Sequence, residues 1–230
     1  ACLGDLMKLE ATTADYLQQS VPGFDMEAPH YWANNVLADG ITAADLTVSE
    51  PALIGWLHTL EAISQLCMAS ARYRAAANYA RRVLKAAGYP TRAAGTVLLA
   101  LARLEDQDGF FALAHQLEEQ VGADALENSP WYLLARTILL FKTNKMRPAT
   151  RALREFANRC EGGAFFLLNP MYQTPYLPCR PEPHDPWDLS HQAVWEADGI
   201  ISDTPDFAPW ANACEDVSQL AQEFARRYGF

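Results

Sequence analysis

The chain has 230 residues, of which 50% are hydrophobic and 20% are charged, and its formal net charge is −10. A chain of this length and composition can bury a substantial core, so its folding requires neither a metal ion nor disulfide bonds. The acidic balance argues against a general nucleic-acid-binding protein, because phosphates repel an acidic surface.

The N-terminal part predicts one helix followed by an irregular connection. Apolar residues recur at helical spacing from Leu3 to Leu17. This stretch lacks the basic segment and continuous apolar run of a secretory signal, and no stretch of the sequence has the length and apolarity of a membrane-spanning helix. Residues 24–48 predict a connection with a short helix, in which Tyr31 and Trp32 are expected to pack on the next hairpin. We therefore expect a cytoplasmic protein with no membrane partner.

Residues 51–160 predict three consecutive pairs of amphipathic helices. Apolar residues recur there at steps of three and four, which places them on one face of each helix. Breaks are predicted near Ser70 and at residues 88–90 and 105–109, and Ser129 is a predicted N-cap. The main apolar positions are Leu53, Trp56, Leu60, Ile63, Tyr73, Ala76, Ala80, Val83, Val97, Leu98, Leu101, Phe110, Leu113, Leu117, Trp131, Leu134, Ile138, Ala149, Leu153 and Phe156.

The three pairs have related spacing. Ala76, Leu113 and Ala149 hold matching positions on the return helices, at offsets of 37 and 36 residues. Such a period indicates stacked repeats, and it is slightly longer than the roughly 34 residues of tetratricopeptide hairpins. We predict an all-α fold, an α-α superhelix of tetratricopeptide-like hairpins in one elongated domain over residues 1–230. An orthogonal helical bundle is the alternative.

Residues 161–230 are predicted to leave the repeat. Prolines between Pro170 and Pro186 predict an extended or turning segment. Helices are expected again at residues 187–197, from Thr204, and over residues 216–228, where they would cap the end of the stack. A further hypothesis is that the proline-rich segment folds back into the groove of the repeats and occupies it as a ligand would.

Charge alternates in sign along the repeats. Residues 62–104 contain seven basic residues and no acidic one, residues 105–128 contain seven acidic residues and no lysine or arginine, and residues 129–160 contain seven basic residues and one glutamate. Two interpretations remain open. Neighbouring hairpins pair these charges with each other, or acidic flanks surround a basic groove that receives an acidic peptide.

The sequence carries no recognisable catalytic or metal-binding motif. Its five cysteines are far apart and lack Cys-x-x-Cys spacing, which favours reduced, buried thiols. No nucleophile elbow or glycine-rich phosphate loop occurs. The nearest cluster of metal-binding residue types is expected to be solvated surface, and it consists of His184, Asp185, Asp188 and His191. We therefore predict a protein that is not an enzyme and has no cofactor.

Several short motifs resemble a known family. The chain is loosely similar to bacterial tetratricopeptide-like proteins related to the suppressor-of-tumorigenicity protein family. This resemblance implies an α-helical repeat fold and gives no catalytic residues. The motifs that carry it are Glu10–Thr13, Pro29–Trp32, Gly88–Pro90, Val97–Leu101, Arg151–Phe156, Asn169–Pro170 and Tyr176–Pro178.

The predicted function is a protein-interaction scaffold. Stacked hairpins expose a concave surface on their outgoing helices, and polar side chains there can bind a peptide or protein partner, which the basic segments suggest is acidic. The candidate groove residues are His58, Gln65, Arg103 and Arg136. The alternatives are a self-assembling structural protein, which would form homo-oligomers, and the regulatory domain of a longer enzyme.

Overall fold

The computed structural model describes residues 2–20, 24, 26, 51–87, 91–176 and 180–230. This part of the chain is all-helical, as predicted, and contains no strand. The predictions for Tyr31 and Trp32 and for the turn at residues 88–90 lie outside the described residues, as does Cys179.

Twelve α-helices are present in the described part of the chain. They are α1 (Cys2–Ser20), α2 (Pro51–Ala69), α3 (Tyr73–Ala87), α4 (Thr91–Arg103), α5 (Gln107–Val121), α6 (Ala123–Glu127), α7 (Pro130–Lys142), α8 (Met146–Arg159), α9 (Gly163–Leu168), α10 (Asp188–Ser202), α11 (Phe207–Asn212) and α12 (Glu215–Tyr228), with one 3₁₀ turn at Pro170–Tyr172.

Helix α4 is the centre of the fold. Its residues 93–102 are all buried, so it is apolar on every side, as expected of a core helix. It packs against α3 and α7 most extensively and also contacts α2, α5 and α10. Gly95 allows the close approach of α7, because a Cβ atom at this position would lie 2.4 Å from Cγ of Trp131.

The predicted helix pairs are confirmed, with changes at their ends. Ser129 caps α7 through a hydrogen bond from the backbone N–H of Tyr132. The second hairpin turns earlier than predicted, since Asp106 is the N-cap of α5 and accepts a hydrogen bond from the N–H of Gly109 inside that helix. The positive φ of Glu105 makes this short turn. Sequence reasoning missed the short helices α6 and α9 and the 3₁₀ turn.

The C-terminal helices lie in two different places. Helix α12 packs on α8 and α9, at the end of the predicted hairpin series. Helix α10 contacts α9 as well, but it also lies along α7, α2 and α4. The prediction that the C-terminal helices only cap the end of the stack is therefore incomplete for α10, because its apolar face is also buried against the outgoing helices.

Many of the alternating charges are paired within the chain. Of five ion pairs between segments distant in sequence, two join the second and third hairpins, as in the first interpretation of the charge pattern, and three join a hairpin to α1 or to the C-terminal part. They are Arg82–Glu10, Arg103–Asp203, Lys142–Glu105, Arg154–Asp216 and Arg159–Glu127.

Candidate functional site

The concave surface predicted for ligand binding is covered by the chain itself. Helix α10 lies against the outgoing helices α2, α4 and α7. Its side chains on that face are fully buried, namely Ala193, Val194, Ala197 and Ile200. Helix α10 therefore covers the outgoing helices along this part of the fold.

A buried ionic cluster holds the proline-rich segment to the same face, and we call it the Arg180 cluster. The guanidinium of Arg180 donates two hydrogen bonds to the carboxylate of Glu196 on α10, one from Nη2 at 2.6 Å and one from Nε. The Arg180 side chain is 1% exposed and that of Glu196 is 4% exposed. This is a bidentate pair, the geometry that suits arginine and carboxylate best.

The outgoing helices complete the cluster. Nη2 of Arg180 also donates to the hydroxyl of Thr96 on α4 at 2.6 Å, and its guanidinium lies 5.2 Å from the ring centre of Trp131 on α7. Glu61 on α2 lies 3.6 Å from Nη1. Arg180 of the proline-rich segment therefore contacts the outgoing helices, while the idea that the segment occupies a groove as a ligand would stays a hypothesis.

Glu196 is the acceptor that unites the cluster. Besides Arg180, it accepts hydrogen bonds from Nε1 of Trp131 at 2.9 Å and from the hydroxyl of Tyr176 at 2.6 Å. Burial is the largest influence on the pKa of the Arg180 guanidinium and lowers it, yet Glu196, Tyr176 and Glu61 together raise that pKa above its ordinary value. Burial, followed by the Glu196 carboxylate, raises the pKa of Tyr176. The cluster therefore serves as a structural tie between the proline-rich segment, α10 and the outgoing helices.

The four predicted groove residues do not form one site. Gln65 is buried and, with Trp195 and Gly199 of α10, lines a cavity of about 180 Å³. Arg103 reaches the end of α10, where it pairs with Asp203. Arg136 faces α8 instead and pairs with Glu155, and His58 is exposed on α2. Peptide binding by these residues stays a prediction.

A second feature, missed from sequence, is an open pocket between the proline-rich segment and α10, which we call the aromatic pocket. Its volume is about 380 Å³, within the range of ordinary ligand sites. Five aromatic rings contribute to its wall. Its lining residues are Phe166, Tyr172, Thr174, Pro175, Tyr176, Pro181, Glu182, His184, Trp187, Asp188, His191, Gln192 and Phe230.

Two left-handed glycines bring the aromatic rings together. Gly162 has φ +73°, and a Cβ atom there would meet Cβ of Trp187 at 2.9 Å and the ring of Phe166 at 3.0 Å. Gly229 has φ +79°, and the backbone N–H of the following residue, Phe230, donates a hydrogen bond to the carbonyl of Ala225 on α12. The Phe230 ring consequently lies within 6.0 Å of Phe166 and 6.2 Å of Trp187, between ring centres.

The rim of the aromatic pocket exposes large apolar side chains. Tyr172 and Phe230, which line the pocket, are each 43% exposed, and Met171, which precedes Tyr172 in the chain, is 83% exposed. The rings of Tyr172 and Phe230 contact each other edge to face at 5.7 Å. A contiguous apolar rim around a concave site is typical of a surface that contacts another molecule.

Three polar side chains of the aromatic pocket have defined hydrogen bonds. Nε2 of His191 accepts a hydrogen bond from the backbone N–H of Thr174 at 2.8 Å, and burial lowers the pKa of this imidazole, which Asp188 partly opposes. The carboxylate of Asp188 accepts from two backbone N–H groups. Gln192 donates to the carbonyl of Pro181, while its Oε1 is buried and has no hydrogen-bond partner among the described residues.

Some residues of this pocket were singled out from the sequence, which predicted a different environment for them. His184, Asp185, Asp188 and His191 were expected to be solvated surface; His184 and Asp185 are exposed, whereas Asp188 and His191 are half-buried and, with His184, line the pocket beside the aromatic residues. The signal that could have found it is the density of Trp, Tyr and Phe beside the prolines. In the described ranges no group of three or more His, Cys, Asp or Glu residues could hold a metal ion.

Two searches bear on the class of protein. Among the helices of the described residues, none combines the length and apolarity required to cross a bilayer. Comparisons of the chain with protein families, curated proteins and solved structures found no match.

Proposed function

We propose that this chain is a protein-interaction module built from tetratricopeptide-like helical hairpins, and that it binds a peptide segment of its partner at the aromatic pocket. The observation that carries the proposal is the exposed rim of Tyr172 and Phe230 around a concave site, next to the exposed Met171. Methionine and aromatic residues are enriched at the centre of protein interfaces, where they contribute most of the binding free energy.

The scaffold part of the proposal rests on the helix pairs. Three hairpins repeat at 36–37 residues, and the outgoing helices α2, α4 and α7 contact each other in sequence. This arrangement supports a superhelical repeat and the resemblance to the suppressor-of-tumorigenicity family. Because α10 covers the outgoing helices, the proposal places the partner at the aromatic pocket and not in the groove first predicted.

The proposal includes a reducing, cytoplasmic location. Cys67 and Cys160 are free and buried, and Cys2 is free and exposed. Free thiols of this kind are typical of intracellular proteins.

Selection of peptides from a random library tests the proposal. The wild-type chain should enrich binding peptides, and Tyr172→Ala should lose them because it removes a ring from the rim. Tyr16→Ala is a matched control, since Tyr16 is 55% exposed on α1, outside the pocket. Failure of the wild type to enrich any peptide, or equal binding by Tyr172→Ala, would overturn the proposal. Light scattering on the same samples tests the self-assembly alternative.

A further inference from the structure

The aromatic pocket is acidic as well as aromatic. Its wall includes the carboxylates of Glu182 and Asp188, and no lysine or arginine is among its described lining residues. Because burial lowers the pKa of His191, that imidazole adds no positive charge near neutral pH. The electrostatic character of the pocket therefore favours a cationic ligand group.

The side-chain amide of Gln192 is a second observation, because one of its atoms has no hydrogen-bond donor. The residue is 1% exposed, and its Nε2 is already used by the carbonyl of Pro181. Its Oε1 is buried and has no hydrogen-bond partner in the described part of the chain, and Gln192 is among the residues that line the pocket. A buried amide oxygen without a donor is costly, so a ligand N–H that reaches it is stabilised.

Elsewhere in the chain, arginine side chains contact an aromatic ring and a carboxylate at the same time. Five of its described arginines lie over an aromatic ring and also pair with a carboxylate, at distances of 5.2–5.8 Å from the guanidinium carbon to the ring centre. They are Arg82 with Glu10, Arg103 with Asp203, Arg136 with Glu155, Arg180 with Glu196 and Arg227 with Glu161. The aromatic pocket contains the same two partners without the arginine.

We propose that the aromatic pocket anchors an arginine side chain of the partner peptide. The guanidinium stacks on the exposed rings of Tyr172 and Phe230, pairs with the carboxylate of Asp188, and donates an N–H to Oε1 of Gln192. Arginine suits this site better than lysine because its planar group both stacks and donates in several directions, and because it is less strongly hydrated. This inference rests on the proposed function and specifies the partner of the same site.

Oriented peptide arrays test the inference. Each array has one fixed central residue between random positions, and the fixed residue is arginine, citrulline, lysine or norleucine. Citrulline keeps the shape of arginine and removes its charge. The arginine array should bind at least about tenfold more tightly than the citrulline and norleucine arrays, as expected when a desolvated cation–π contact and a charged hydrogen bond are lost, and lysine should be intermediate.

Charge variants locate the effect. Asp188→Asn keeps an acceptor for the two backbone N–H groups but removes the charge, so it should weaken the arginine array several-fold and leave the citrulline array unchanged. Asp198→Asn is the control, because Asp198 is exposed on the same helix, outside the aromatic pocket.

The possible outcomes separate the two proposals. Equal binding of the arginine and citrulline arrays, with both lost in Tyr172→Ala, overturns the arginine inference and supports the proposed function. Preference for arginine that Asp188→Asn does not reduce also overturns the inference, because the cation then binds elsewhere. Absence of binding to every array overturns both.

Discussion

Replacing Arg180 with methionine should destabilise the fold strongly. The substitution keeps most of the apolar volume and leaves the Glu196 carboxylate, 4% exposed, without its counter-ion. Removing one partner of a buried ion pair costs about 3–5 kcal/mol. Glu196 retains hydrogen bonds from Trp131 and Tyr176, so we expect about 3 kcal/mol, the lower end of that range.

Thermal and urea unfolding followed by circular dichroism measure this loss. For a chain of this size, about 3 kcal/mol corresponds to a decrease in Tm of roughly 6–12 °C. Arg154→Met is the matched control, because the Arg154–Asp216 pair is about half exposed on both sides, and it should cost at most about 1 kcal/mol.

A second variant separates buried charge from lost packing. Glu196→Gln in the Arg180→Met background removes the unpaired charge and keeps an acceptor for its neighbours. The double variant should therefore be more stable than Arg180→Met alone. An Arg180→Met protein that melts within about 2 °C of the wild type, or no lower than Arg154→Met, would refute this account of the cluster.

Three further predictions concern other parts of the fold. Gly95→Ala should reduce the free energy of unfolding by about 1–3 kcal/mol, because it overpacks the α4–α7 contact. Gly55→Ala is the control and should not destabilise the fold, since its Cβ would meet no atom within 4 Å. Equal melting temperatures of the two variants would contradict this prediction. Burial raises the pKa of Cys160 to about 12, so peptide mapping after alkylation of the native protein should find exposed Cys2 modified and Cys160 intact, and early modification of Cys160 would be inconsistent with the packing. Burial lowers the pKa of His191 in the folded protein, so as the pH falls below about 6.5 this imidazole becomes protonated in the unfolded chain before it does in the folded one, and the free energy of unfolding should decrease. The variant His191→Phe should reduce this pH dependence. An unchanged slope of unfolding free energy against pH would show that other groups cause it.

Helical periodicity predicted the elements well where the pattern was long. The Ser129–Pro130 start of α7 and the apolar stripes of α2, α3 and α8 are local signals, and the structure confirms them. The turn predicted at residues 105–109 extended too far, because Gly109 gave a turn signal although it lies in the first turn of α5, which Asp106 caps. Short helices such as α6 have too few turns to show a period.

The position of α10 could not be predicted from its own sequence. An amphipathic pattern states that one face is buried, and it does not identify the helices that bury it. The tie from Arg180 to Thr96 and Glu196 spans 84 and 16 residues of sequence, and its arginine comes from a proline-rich segment with no regular period. The aromatic pocket depends on the same long-range fold, together with the left-handed glycine at 162.

The central claim is that the aromatic pocket binds a peptide, and NMR of the tryptophan indole groups tests it most directly. The Nε1–H resonances of Trp187 and Trp56 are assigned with Trp→Phe variants and followed during titration with the best peptide from the arginine array. Trp187 lines the pocket, while Trp56 is buried and outside it, with its Nε1–H donated to Glu10. We predict a saturable shift of the Trp187 resonance with no change at Trp56; a bound peptide that leaves Trp187 unshifted would contradict the account.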